Sequence, residues 1–315
     1  MTHTRWTATN IPDQTGRTHL VTGANSGLGY ETSLALARKG ATVIMACRNM
    51  EKGNAAAAEI TQQMPNAKLD LQQLDLASLD SIRSFAERIN ASHRQLDVLF
   101  NNAGIMGPVR QETADGFEMQ IGTNHLGHFA LTGLLLDLLL ATPRSRIVST
   151  SSVAHAMGRI YFEDLHGKQR YERWQWYGQS KLANLLFGLE LQRRLNTLTT
   201  TTISVIAHPG YSATHLQTTG PSTGGALSMA GLLSFTNRYV AQSGAMGALP
   251  QLYAGTAPGV LGGEFYGPDG FGMRGYPEPR MPNRRAFNTA DAARLWQISE
   301  ELTGVAYTAF QSATV

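Results

Sequence analysis

The stretch Thr18 to Glu31, THLVTGANSGLGYE, decides how this chain folds. Its apolar pair Leu20-Val21 reads as a buried strand, and the chain then turns through Gly23, Gly27 and Gly29. From Tyr30 to Ala37 the residues have helical spacing. A strand that turns through glycines into a helix N-terminus is a phosphate site on physical grounds. The first-turn N–H groups lack intrahelical partners, the helix dipole is positive there, and missing side chains let a pyrophosphate approach. The spacing is Gly-x-x-x-Gly-x-Gly, not the Gly-x-Gly-x-x-Gly of the commonest dinucleotide fingerprint. A tight strand-to-helix turn that needs positive φ would use the same glycines, so this stretch alone leaves both readings open.

Strands alternate with helices on either side of it. Ala41 to Ala46 is a β-rich run, after which Asn49 can cap a helix through Ala55–Ala58. Leu69 to Leu74 alternates polar and apolar residues, and Ser78 starts another helix. Strands over 97–101, 146–151 and 201–207 follow, each separated by a helical segment, one of them from about 113 to 140. Repeated strand–helix units predict an α/β chain: a parallel sheet with helices on both faces, binding ligands beyond the C-terminal strand ends. No composition shift splits residues 1–315, and there is no internal repeat.

The bulk properties exclude several classes. At 315 residues the chain can bury a large core, and a net charge of +3 with scattered basic residues leaves no nucleic-acid footprint. Arg274, Arg280, Arg284 and Arg285 lie among glycines and prolines, as a solvated loop does. The single Cys47 excludes an internal disulfide and any cysteine-based metal cluster, which suits a reducing compartment. Residues 1–17 are polar, and the most apolar window, Leu131 to Leu140, is broken by Gly133 and Asp137. It falls short of the ~20 residues a membrane span needs, so a cytoplasmic protein without a membrane partner is expected.

Further motifs follow in order. Asn101-Asn102-Ala103-Gly104 ends the apolar run Val98-Leu99-Phe100, and Ser151-Ser152 ends Arg146-Ile147-Val148. Then come Tyr177-Gly178-Gln179-Ser180-Lys181 and His208-Pro209-Gly210. In that order, over about residues 15 to 305, they resemble the short-chain dehydrogenase/reductase family. Ala46-Cys47-Arg48-Asn49, Ser180 to Asn184 and Leu295 to Gly304 look most like the branch of the retinol dehydrogenases and the WW-domain oxidoreductase. The resemblance implies one Rossmann-like, doubly wound domain of about seven strands. It also implies hydride transfer between a nicotinamide cofactor and an alcohol/carbonyl pair.

Tyr177 and Lys181 stand four apart and share one helical face. An unperturbed tyrosine titrates near ~10, and a cation beside it would favour the phenolate and bring that value towards neutrality. The family pattern makes Tyr177 the acid/base and Lys181 its electrostatic partner, also bonded to the nicotinamide ribose. It makes Ser152 catalytic, with Ser151 as the alternative, and sets Asn124 in a kinked helix that holds a relay water. His125 and His128 have no apparent third partner, which favours core or surface histidines over a metal site. Tyr177 lies 25 residues beyond Ser152, a long gap also seen in the retinol dehydrogenase branch. Its aromatics Tyr161, Phe162, Trp174 and Trp176 either pack that segment down or line a cleft.

For the cofactor, the resemblance carries over to Gly23, Asn25, Ser26, Gly27, Leu28 and Gly29 at the phosphates. Asp75 and Leu76 fall at the adenine, Asn102, Ala103 and Gly104 at the adenosine ribose, and Pro209, Gly210 and Thr214 at the nicotinamide amide. Arg48 follows the second strand, 19 positions after Gly29, where an arginine accommodates a 2′-phosphate. NADP(H) is therefore expected, with NAD(H) as the alternative and no metal. Residues 1–15 are expected as an extended tail, and 212–240 and 262–285 as substrate-side loops. The first of these loops runs from a glycine-rich hinge into Leu/Met/Phe residues, as a lid over a bulky apolar ketone or aldehyde would. A homo-oligomer fits the family, and a nucleotide sensor or scaffold of the same fold is the competing function.

Overall fold

The computed structural model describes residues 5–211 and 242–311. Eight strands form one sheet in the order β3-β2-β1-β4-β5-β6-β7-β8. They are β1 (Thr18–Thr22), β2 (Thr42–Cys47), β3 (Lys68–Gln73), β4 (Val98–Asn101), β5 (Arg146–Thr150), β6 (Ile203–Ala207), β7 (Phe265–Gly270) and β8 (Arg274–Pro279). β1 to β7 pair in parallel and β8 runs antiparallel to β7.

Alternation along each strand builds two cores. Leu20, Ile44, Leu99 and Ile147 point to one face, where helices α3 (Leu79–Ser92) and α7 (Arg173–Leu195) lie. Val21, Val43, Phe100 and Val148 point to the other, against α1 (Gly27–Arg38), α2 (Met50–Gln63) and α8 (Gly244–Thr256). A strand covered on both faces reads as a continuous apolar run, and all five residues of β1 are buried. Asn49 and Ser78 cap α2 and α3 as expected, accepting from the Lys52 and Ser81 N–H groups.

The strand order reverses between β1, which pairs β2 on one side, and β4 on the other. That reversal opens a crevice beyond the C-terminal ends of β1 and β4. The glycine turn and Asn101–Gly104 stand at those two ends.

The helix expected from about 113 to 140 begins later and is broken. It runs as α4 (Met119–Ile121), a π turn over Gly122–Leu126, α5 (Gly127–Leu134) and α6 (Leu136–Ala141). Asn124 sits in the middle of the π turn.

Two expectations need correction. Residues 262–285, read as a loop, contain the β7–β8 hairpin, so the sheet has eight strands instead of about seven. Prolines and glycines hid it. β7 pairs in register with β6 only at Phe265 and Tyr266, before Pro268, and β8 carries Pro277 and Pro279 as the outermost strand, where proline is tolerated. The described part of the N-terminal tail is not simply extended: Ala8–Asn10 forms a 3-10 turn, and Ile11 and Gln14 are buried. Residues 212–240, with the expected lid, lie outside the described residues.

Candidate active site

Tyr177 and Lys181 lie one turn apart near the start of α7, which Glu172 caps through the Trp174 and Gln175 N–H groups. Both are buried, 9% and 4% exposed. The Lys181 Nζ is 5.8 Å from the Tyr177 ring centroid and donates to the Thr150 carbonyl at 3.3 Å. Asn184 Nδ2 donates to that same carbonyl at 3.0 Å. Burial pushes the Lys181 ammonium down to about 8.

The expected pull of Lys181 on the Tyr177 phenol is not what the geometry yields. Burial raises the phenol above its ordinary value, and the opposing influence is a hydrogen bond with the Ser152 side chain. Desolvation wins because the ring is enclosed while the cation is anchored on a carbonyl.

The two serines after β5 separate cleanly. Ser151 is buried and donates its hydroxyl to the Lys181 carbonyl at 2.8 Å, and its N–H donates to Ala207. Ser152 stays half-buried beside Tyr177, and its main-chain carbonyl accepts from His155 Nδ1 at 2.6 Å. That bond fixes the His155 tautomer, because a carbonyl can only accept.

Asn124 is fully buried, with its amide bracketing Ile105. Oδ1 accepts from the Ile105 N–H at 2.8 Å and Nδ2 donates to the Ile105 carbonyl at 3.0 Å. Nδ2 also donates to the Ser180 hydroxyl at 2.9 Å, between Tyr177 and Lys181 in α7. The Asn124 carbonyl accepts from His128 Nδ1 at 3.0 Å, so neutral His128 presents Nε2 as an acceptor to the Thr22 hydroxyl at 3.0 Å. His125 is likewise buried, 2.9 Å from Ser299 Oγ. Both imidazoles are core hydrogen-bonding groups. Gly104 closes this side of the site: a Cβ there would stand 3.2 Å from Asn124 Oδ1 and 3.3 Å from Lys181 Nζ.

The glycines of the turn serve different ends. Gly23 and Gly27 have φ of +67° and +52°. Gly29 is needed for a different reason, since a Cβ there would collide with the Gly23 carbonyl and lie 2.8 Å from Asn102 Nδ2. Ser26 starts α1 in extended conformation with no side-chain cap, and no acidic residue lies in the first turn. Uncapped N–H groups at a helix start that follows a glycine turn fit a pyrophosphate.

The remaining expected positions scatter around this cradle. Arg48 is exposed at the end of β2, with no hydrogen bond or ion pair among the described residues, next to fully buried Cys47, whose thiol burial raises to about 11. Asp75 accepts from the Ala77 N–H at 2.9 Å, and Leu76 is buried. Gly210 has φ +67°, and a Cβ there would strike the Met273 carbonyl. The Pro209 carbonyl accepts from Gln242 Nε2 at 2.6 Å. Thr214 lies outside the described residues. Of the aromatics in the long gap, Tyr161 and Trp176 stack with centroids 5.0 Å apart, whereas Trp174 is half-exposed and packs on Gly107.

Two residues escaped the sequence reading. Thr22 Oγ1 accepts from the Asn102 and Ala103 N–H groups, both at 2.9 Å, and so holds the loop after β4 against the end of β1. A polar residue ending a buried strand just before Gly23 was the available signal. Gln251, on α8, had none.

Comparison with known proteins gives the same picture. A family model described as short chain dehydrogenase matches residues 17–223. Retinol dehydrogenase 13 of Homo sapiens is 42% identical over 295 residues, covering 92% of this chain and 85% of the relative. The crystal structure of an uncharacterized protein from Mycobacterium paratuberculosis is 44% identical with a TM-score of 0.80, covering 96% of this chain and 99% of that one. A short chain dehydrogenase from Escherichia coli CFT073, solved in complex with NADPH, is 28% identical with a TM-score of 0.54, over 68% of this chain and 84% of its own.

Proposed function

The chain belongs to the short-chain dehydrogenase family, and from that premise we propose that it moves a hydride between NADP(H) and a bulky, largely apolar ketone or aldehyde and its alcohol. Oxidoreductase chemistry on alcohol and carbonyl groups with a nicotinamide dinucleotide follows from family membership. The preference for NADP(H) and the class of substrate are our reading.

One observation carries it. The Asn124 amide and the Lys181 ammonium meet at Gly104, Tyr177 stands one turn before Lys181 on α7, and the Ser152 side chain after β5 hydrogen-bonds Tyr177. The bound dinucleotide would supply or accept the hydride at the carbonyl carbon. In this reading Ser152 orients the substrate oxygen and Tyr177 gives that oxygen a proton during reduction and takes it back during oxidation. Lys181, anchored on the Thr150 carbonyl, would offset the negative charge left on the phenolate once Tyr177 has given up its proton, and Asn124 holds the loop through Ile105.

Gly23 to Gly29 would hold the pyrophosphate, Asp75 and Leu76 the adenine, Asn102 to Gly104 the ribose, and Pro209, Gly210 and Thr214 the nicotinamide amide. Arg48, exposed and without a partner among the described residues, supports a 2′-phosphate, as does the NADPH bound by the E. coli relative. A bulky apolar substrate is supported by the likeness to a retinol dehydrogenase and by the uncharged composition of 215–236. Among the described residues no helix is long and apolar enough to cross a membrane.

Nicotinamide absorbance, followed with aldehydes and ketones of graded size and charge and with both cofactors in both directions, tests the whole reading. Turnover of large apolar carbonyls with NADPH is expected. Binding of cofactor without turnover of any carbonyl would move the chain to the sensor class.

A further inference from the structure

Gln251 is 2% exposed on the buried face of α8, and three separate parts of the site meet at its side-chain amide. Its Nε2 donates to Thr32 Oγ1 of α1 at 2.6 Å and to Asn102 Oδ1 at 3.0 Å. Its Oε1 accepts from Thr150 Oγ1 at 3.0 Å. Both amide hydrogens are used, and the amide cannot be flipped without setting oxygen against oxygen at Asn102.

Each partner leads to the candidate site. Asn102, with Oδ1 held by Gln251, must turn Nδ2 the other way, where it donates to the Thr22 carbonyl at 2.7 Å beneath the glycine turn. That nitrogen is one of the atoms a Cβ on Gly29 would crowd. Thr32 lies one turn into the helix whose N-terminus faces the crevice, and it passes its own proton to the Leu28 carbonyl at 2.7 Å. Thr150 ends β5, and its carbonyl seats the Lys181 ammonium just before Ser151 and Ser152.

We propose that Gln251 is a positioning residue: it sets the distance between the phosphate cradle and the Lys181 seat, and so controls dinucleotide affinity from behind the site. The proposal rests on the nucleotide-binding reading above. Truncating the amide strands Asn102 Oδ1 in a buried position, and that group recovers a partner only by rotating and giving up the Thr22 carbonyl.

The test is a fluorescence titration of NADPH against the full chain, with thermal unfolding in parallel. Gln251→Leu is expected to raise the NADPH Kd about tenfold or more. Adding Asn102→Ala to it should cost little beyond either change alone, because both break one linkage. Gln251→Glu preserves shape and the acceptor for Thr150 but can donate only when protonated. Its NADPH affinity should therefore weaken several-fold from pH 6 to pH 8 relative to wild type, a profile that general loosening of the fold would not produce. This second variant keeps the question answerable if the leucine variant fails to fold. An NADPH Kd within twofold of wild type in Gln251→Leu, or a wild-type pH profile in Gln251→Glu, overturns the proposal and leaves the function standing. A wild-type chain that binds neither NADPH nor NADH overturns both.

Discussion

Ser151 donates its hydroxyl to the main-chain carbonyl of Lys181 at 2.8 Å, whereas the Ser152 side chain hydrogen-bonds Tyr177. Two adjacent serines thus have opposite expected phenotypes. Ser152→Ala should lower kcat by about 10²-fold, the typical cost of one donor to a reacting oxygen, with a stability loss no larger than that of its cap on the Ala154 N–H. Ser151→Ala should do the reverse, losing about 1 kcal/mol of stability with most of kcat retained. Turnover and thermal melts of the two variants decide it, and a catalytic loss confined to Ser151→Ala would reverse the roles.

Tyr177→Phe removes the proton donor and keeps the buried ring. The expected result is a kcat reduced roughly 10²–10⁴-fold with NADPH affinity intact. Retention of most of the wild-type kcat would sink the assignment.

Lys181 has a stability signature that its activity does not reveal. Its folded value is lowered to about 8 against 10.5 for an ordinary lysine, so below pH 8 both states are protonated and the full burial penalty applies. Between about 8 and 10.5 the folded chain releases the proton while the unfolded chain keeps it, and stability rises with pH. Lys181→Met should therefore be inactive yet more stable at pH 7, by up to about 3 kcal/mol, with the advantage fading by pH 10. Urea denaturation at the two pH values measures this. A variant less stable than wild type at pH 7 would show that the Thr150 bond outweighs desolvation.

Four imidazoles set the acid limit. Burial lowers His19, His125 and His208 to about 3 and His128 to about 4. As pH falls below 6.5, the unfolded chain takes up these protons and the folded chain does not, so stability declines. Each site should withdraw about 2 kcal/mol by pH 5. Circular dichroism from pH 7 to 4 should show cooperative unfolding well above the range where carboxylates titrate, and a fold unchanged at pH 4 would contradict the burial argument.

Arg48→Ala should weaken NADPH binding about tenfold or more and leave NADH binding almost unchanged. An arginine–phosphate contact contributes on the order of 1.5–3 kcal/mol, and only NADPH offers that phosphate. Calorimetric titration of both cofactors reads it directly. Equal wild-type affinities for the two cofactors would refute the NADP(H) preference.

How far the sequence could be read depended on whether a signal was local. β1, the glycine turn and α1 form one continuous segment that periodicity exposed, whereas Tyr177 and Lys181 share a helical face that spacing shows and owe their expected roles to the family resemblance. Gln251 bonds to Thr150, Asn102 and Thr32, which lie 101, 149 and 219 positions away, so its role exists only in the folded chain. The β7–β8 hairpin was hidden because Pro268, Pro277 and Pro279 mark loops in sequence yet are tolerated beyond the last parallel pairing and on an edge. For the Tyr177 phenol, spacing showed a neighbouring cation, but burial proved the larger effect.

The wide turn at Gly122–Leu126 makes the helix one residue longer than an unbroken α-helix needs for the same rise. Deleting Thr123 would let that helix close into a regular ladder, a local gain in hydrogen bonding. The turns before and after would keep their faces, because the wide turn is what absorbs the extra residue, but Asn124 in its middle would be drawn into the ladder and its amide would leave Ile105. At this point the chain is therefore more vulnerable to a change of length than to a change of side chain, and a deletion that repairs the helix would dismantle the site.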